Sequence, residues 1–103
     1  MQTIVIDYGV HSSFKFTLTS EHFVGTSEIV FVIKNKLTDQ ENVVERRYNK
    51  EGTYIEVITP EESKKIQKGA IYGFGKVLTN GDCFNFTPNG GIDLNRGVFQ
   101  CQH

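Results

Sequence analysis

Residues Ile29 to Ile33 read Ile-Val-Phe-Val-Ile, an unbroken run of five apolar side chains, four of them β-branched and one aromatic. In an extended chain successive side chains point to opposite faces, so a run without a polar alternate needs cover on both. Branching at Cβ disfavours a helix here and suits a pleated strand. Ile29–Lys34 is therefore expected to be a fully buried central strand, with Glu28 marking its edge.

The flanking segments alternate instead. In Thr3–Tyr8, Ile4, Ile6 and Tyr8 share a face opposite Val5 and Asp7; in Ser13–Leu18, Phe14, Phe16 and Leu18 alternate with Lys15 and Thr17. The polar stretch Lys34–Gln40 reads as a turn into a strand at Asn42–Tyr48, and Lys50-Glu51-Gly52 as a turn into Thr53–Ile58. Ile71–Leu78 places Tyr72, Phe74 and Leu78 on one face. Gly73 and Gly75 lie opposite, a thin face that another element can approach closely. Thr79-Asn80-Gly81-Asp82 is a type I′ hairpin signal, followed by a return strand at Cys83–Thr87. Pro88-Asn89-Gly90-Gly91 reads as a further turn into Gly91–Leu94, and Gly97–Gln102 as the closing strand. Alternation places the strand carboxylates Asp7, Glu56 and Asp93 on outer faces.

Composition supports this pattern. Val, Ile, Phe, Tyr and Thr supply 40 residues against five Ala or Leu, which excludes a helical bundle and a doubly wound α/β enzyme. One helix is expected. Thr59-Pro60-Glu61-Glu62 forms a capping box with Pro at the first helical position, Ile66 is the apolar anchor, and Lys68-Gly69 is expected to end it. The expected fold is all-β: a single domain over residues 1–103, an Ig-like antiparallel β-sandwich of seven to nine short strands with one short connecting helix at about residues 60–68.

Eleven Lys plus Arg against 12 Asp plus Glu leave a net charge of −1. Without a basic excess no nucleic-acid partner is expected. The longest apolar run falls well short of the roughly 18 residues of a membrane span, and MQTIVIDYG lacks the features of a secretory signal, so no membrane is expected and the chain reads as cytoplasmic. Cys83 and Cys101 show no CxxC spacing and are read as buried thiols rather than a bridge.

Motifs for chemistry are missing. His11, His22 and His103 have no metal-ligand spacing among themselves; only Cys101-Gln102-His103 sets a cysteine beside a histidine. Gly73-Phe74-Gly75-Lys76 lacks the helix and the hydroxyl residue of a phosphate loop, and no serine sits in a GxSxG elbow. No catalytic residue, metal, cofactor or small-molecule substrate is therefore expected. The one charge concentration is Arg46, Arg47 and Lys50, with Lys34 and Lys36 across the preceding hairpin. It serves either to guard an edge strand against unwanted pairing or as a docking surface for an acidic partner protein.

The segment Thr59-Pro60-Glu61-Glu62-Ser63-Lys64-Lys65-Ile66-Gln67-Lys68-Gly69-Ala70-Ile71-Tyr72-Gly73-Phe74 resembles the N-terminal domain of phage baseplate upper proteins and related Ig-like tail proteins. In that family a strand ends in a capped, Glu-containing helical turn, and a Gly then leads into an aromatic-bearing strand and a hairpin. The earlier Phe14-x-Phe16-x-Leu18 and Ile29-x-Phe31-x-Ile33 strands follow the same order. The family places its first aromatic two residues after the Gly, whereas Tyr72 lies three after Gly69. The resemblance implies a non-enzymatic baseplate or tail adaptor contacting other virion proteins or itself, made in the bacterial host cytoplasm and then built into the virion. A second reading is a small carbohydrate-binding sandwich presenting Tyr48 and Tyr54 to sugars. A third, a small hydrolase, would need converging carboxylates or a histidine pair in a cleft.

Overall fold

The computed structural model describes residues 3–78 and 84–95, and within them the chain forms seven strands and one short α-helix. These are β1 (Ile4–Asp7), β2 (Ser12–Leu18), β3 (Ile29–Lys34), β4 (Val44–Tyr48), β5 (Gly52–Ile58), α1 (Pro60–Lys65), β6 (Ile71–Lys76) and β7 (Thr87–Asn95), with a 3-10 turn at Ser20–Phe23. Five strands form one sheet in the order β1-β7-β6-β3-β4, and β2 pairs with β5 in a second. The two sheets make a small β-sandwich. Its partition, β2 with β5 against β3, β6 and β7, is that of the B and E against the C, F and G strands of immunoglobulin-like sandwiches. Not every pair is antiparallel: β1 runs parallel to β7, from Ile4 opposite Ile92 to Asp7 opposite Asn95.

All six residues of β3 are buried, and each face has its own cover. On the inner face, Phe31 meets Phe14 and Phe16 of β2, with ring centroids 5.2 and 5.8 Å away, and Phe74 of β6 at 5.6 Å. Ile6, Ile33, Val44, Ile58, Ile66, Tyr72 and Ile92 complete the core around them. On the other face Val30 pairs with Gly75 and Val32 with Gly73. Residues 84–87 lie directly over those glycines: a Cβ at Gly73 would run into the Thr87 carbonyl oxygen and come within 2.9 Å of the Phe86 ring. One at Gly75 would meet the Asn85 carbonyl and Phe84 in the same way. The thin face expected at Gly73 and Gly75 is the surface on which this segment sits.

Local expectations fail in four places. The return strand expected at Cys83–Thr87 is, over 84–86, an isolated bridge at Phe84 followed by irregular chain, and Thr87 opens β7. Pro88-Asn89-Gly90-Gly91 is not a turn; it belongs to a continuous β7. Tyr72 pairs with Gly90 and Gly73 with Pro88, so Asn89 is an extra residue in a β-bulge that takes the proline into the sheet. The helix stops at Lys65 rather than Lys68, because buried Ile66 turns extended to drop into the core. Gly69 does adopt positive φ, +91°, but in the following turn, which Ala70 N–H closes onto the Gln67 carbonyl at 3.1 Å. Finally, β6 ends at Lys76 and Leu78 is exposed. The expected Thr79–Asp82 hairpin turn and Gly97–Gln102 strand, with Cys83 and Cys101, lie outside the described residues; Val77 and Phe84 flank the former as an antiparallel bridge.

Helix α1 is tied across one end of the sandwich. The Thr59 hydroxyl accepts the Glu62 N–H at 3.2 Å and the Glu62 carboxylate accepts the Thr59 N–H at 3.1 Å, the reciprocal capping box read from sequence. Buried Ser63 accepts the Gly9 N–H at 2.9 Å, while Asn35 holds both the Lys65 carbonyl and the Gln67 N–H.

Candidate docking surface

The register of β2 against β5 decides which side chains the small sheet shows. Phe14 stands opposite Glu56 and Phe16 opposite Tyr54, and residues opposite each other share a face. Turning the two phenylalanines into the core therefore turns Tyr54 and Glu56 inward and Ile55 and Val57 outward. Ile55 is 70% and Val57 45% exposed, whereas Glu56 is only 5% exposed. The expectation that Glu56 lies on an outer face is thus reversed.

The buried carboxylate is met by Arg46. On β4, Arg46 reaches inward and its Nε lies 3.2 Å from Glu56, while its Nη2 donates to both Glu62 carboxylate oxygens at 2.9 and 2.8 Å. Burial pushes the Glu56 carboxyl above its ordinary value, the Glu62 charge adds to this, and Arg46 offsets it only in part. Burial also works upward on Glu62, yet hydrogen bonds from Arg46 and the Thr59 N–H outweigh it and hold that carboxyl below the ordinary value. The cluster joins β4, β5 and α1, and so ties the two sheets and the helix together.

The other basic residues go elsewhere. Arg47 points to the opposite side of β4, where it pairs with Glu28 at 2.8 Å and Glu45 at 3.4 Å and stands 5.9 Å from the Phe84 ring. Its hydrogen bond to Glu28, chiefly, raises its pKa further. Lys34 is buried, donating to the Asp39 carbonyl at 2.8 Å below the Phe86 ring. Lys36 and Lys50 are exposed in separate turns. Alternation along β4 divides Arg46 from Arg47, so the five residues do not converge on one surface. β4 is nonetheless an edge strand, and its charges stand where edge protection needs them.

Tyr48 and Tyr54 are half-buried and pack on each other, centroids 4.5 Å apart, with Tyr48 edge-on to Phe16. The Tyr54 hydroxyl donates to the Lys50 carbonyl at 2.6 Å. His22 is occupied locally, accepting the Thr19 N–H at 3.0 Å. Among the described residues no three His, Cys, Asp or Glu side chains gather as a metal site would require, and no helix is long and apolar enough to cross a membrane.

Among the described residues, one side of the sandwich is left open. Two strands cannot cover the inner face of five, and a cavity of about 480 Å³ lies between β1 and β2, reaching Phe14, Phe16, Tyr72 and Phe74. A second, of about 400 Å³, lies against Phe74 and Asn89 and reaches His22 and Lys76. Sequence reasoning missed this opening, because it follows from the unequal strand count of the two sheets. Compared with known protein families and with curated proteins, the chain matches none. Fold and surface together define a small β-sandwich whose Arg46–Glu56–Glu62 cluster ties the two sheets together and whose small sheet turns Ile55 and Val57 outward among Ser13, Lys15, Thr17 and Thr53.

Proposed function

We propose that the protein is a non-enzymatic assembly module that works through protein–protein contacts, of the kind found in phage or prophage baseplates and tails. The observation that carries this reading is the inverted β5, which buries Glu56 and leaves Ile55 and Val57 to solvent. Adjacent β-branched side chains on an exposed sheet face are suited to contact with another protein. The likeness of Thr59–Phe74 to baseplate upper domains adds the virion context: partners among tail proteins or copies of the chain itself, made in the host cytoplasm and carried into the particle. On this reading Glu56 and Glu62 are structural. Both are spent on Arg46, and neither lines the cavities that reach Phe74.

The genes flanking this one test the assignment. Tail, portal or lysis genes beside it would support a virion role, and a polysaccharide-utilisation cluster would replace it with sugar binding.

A further inference from the structure

Among the described residues, strand β2 is paired on one side only. β5 takes one edge over Ser12–Leu18, and among the described residues no strand takes the other. The larger cavity touches Ser13, Phe14, Lys15 and Phe16 in succession. Ser13 and Lys15 point out of the sandwich and Phe14 and Phe16 into it, so a cavity touching all four runs along the strand's edge and not over one face. Thr3, Ile4 and Val5 of the β1 side form its other wall, and Val5 is 54% exposed there. An unpaired edge beside an apolar floor is the geometry that accepts an added strand: the backbone supplies hydrogen bonds and alternate side chains enter the groove.

Charge selects the occupant. Lys15 lines the groove, and among the described residues no carboxylate lines it or the smaller cavity, where Lys76 donates to the Val24 carbonyl. Among the free edges that a second copy could bring, β2 would set another Lys15 beside this one, β4 carries Arg46 and Arg47 beside Glu45, β5 buries its carboxylate, and β1, ending in Asp7, is itself the groove's other wall. We propose that the groove between β1 and β2 takes an extended acidic segment of a partner protein, added as a strand to the free edge of β2, its apolar residues over Phe14 and Phe16 and its carboxylates toward Lys15. The proposal rests on the reading of the chain as a contact module and names the partner chemistry for one of its surfaces.

The test is amide hydrogen exchange along Ser13–Leu18 in the dilute full chain, with a ten-residue peptide alternating valine and glutamate and with its valine–lysine counterpart. The acidic peptide is expected to slow exchange at alternate β2 amides by about tenfold or more, the basic one to leave them unchanged. Lys15→Glu and Val5→Glu alter exposed positions and leave the fold intact; each is expected to weaken binding of the acidic peptide about fivefold, as loss of one exposed charge pair or introduction of a like charge does. Equal protection by both peptides, or by neither, overturns the assignment. So does protection that appears without peptide when the protein is concentrated, which would make the occupant a second copy, or protection by maltohexaose, which would make it a sugar. Failure with both peptides while the protein still associates through Ile55 and Val57 removes the groove proposal and leaves the contact-module reading standing.

Discussion

Arg46 donates to both carboxylate oxygens of Glu62, at 2.9 and 2.8 Å, and so fastens an edge strand of the large sheet to the helix that follows the small one. The same guanidinium reaches Glu56 on β5, so one side chain spans both sheets and α1. Removing it strands Glu56 in the interior without a counter-charge. Arg46→Ala is expected to cost about 3 kcal/mol in urea unfolding, the range for breaking a buried pair, whereas Glu56→Gln keeps shape and hydrogen bonding and costs under about 1 kcal/mol.

The two carboxyls respond to pH in opposite directions. Glu56 has a raised value in the folded protein, so its contribution is full below the ordinary value of 4.5 and is lost as pH rises through the folded value. Glu62 has a lowered value, so its contribution is present above 4.5 and is lost as pH falls through the folded value. Unfolding free energies measured from pH 7 down to 3 should therefore show the wild type gaining on Glu56→Gln as pH falls toward 4.5, and losing ground to Glu62→Gln below it.

Gly73 and Gly75 are tested by adding one methyl group. Their Cβ positions are occupied by the Thr87 and Asn85 carbonyls, which are backbone and cannot swing aside. Gly73→Ala and Gly75→Ala should each cost about 2–3 kcal/mol, at the upper end of overpacking, by urea titration. Gly91→Ala is the control: nothing lies within 4 Å of its Cβ position, and it should change stability by less than about 0.5 kcal/mol.

Ser63 links the helix to the β1–β2 turn by accepting the Gly9 N–H and donating to the Pro60 carbonyl. Ser63→Ala leaves the Gly9 donor without this acceptor and should cost about 1–2 kcal/mol. The Gly9 amide should then exchange faster than in the wild type, which a purely local effect on α1 would not produce.

What could be read from the sequence depended on how far each feature reaches. Ile29–Ile33 carries its own burial requirement, and the Thr59–Glu62 box closes within four residues, so both were legible. Gly73 and Gly75 announced a close approach, though not that Phe84 and Phe86 would make it. Pro88–Gly91 has the residue types of a turn, while a bulge against Tyr72, set by the neighbouring strand, makes the proline acceptable in β7. The orientation of Glu56 was hidden for a related reason. It is set by cross-strand register with Phe14, 42 residues away in the chain, and by a counter-charge from Arg46 on another strand. The basic cluster looked like one patch only because the pleat that separates Arg46 from Arg47 is invisible in a list of charges.

The most direct test of a contact module is its mass in solution. Light scattering on the size-fractionated protein, over a wide concentration range, should give assemblies larger than the 11.7 kDa monomer. The double substitution Ile55→Glu with Val57→Thr should return it to the monomer with thermal stability little changed, because both side chains are already exposed and Glu at 55 faces Lys15 across the strands. A wild type that stays monomeric at every concentration, indistinguishable from the double variant, would contradict the role proposed for the outer face of β5.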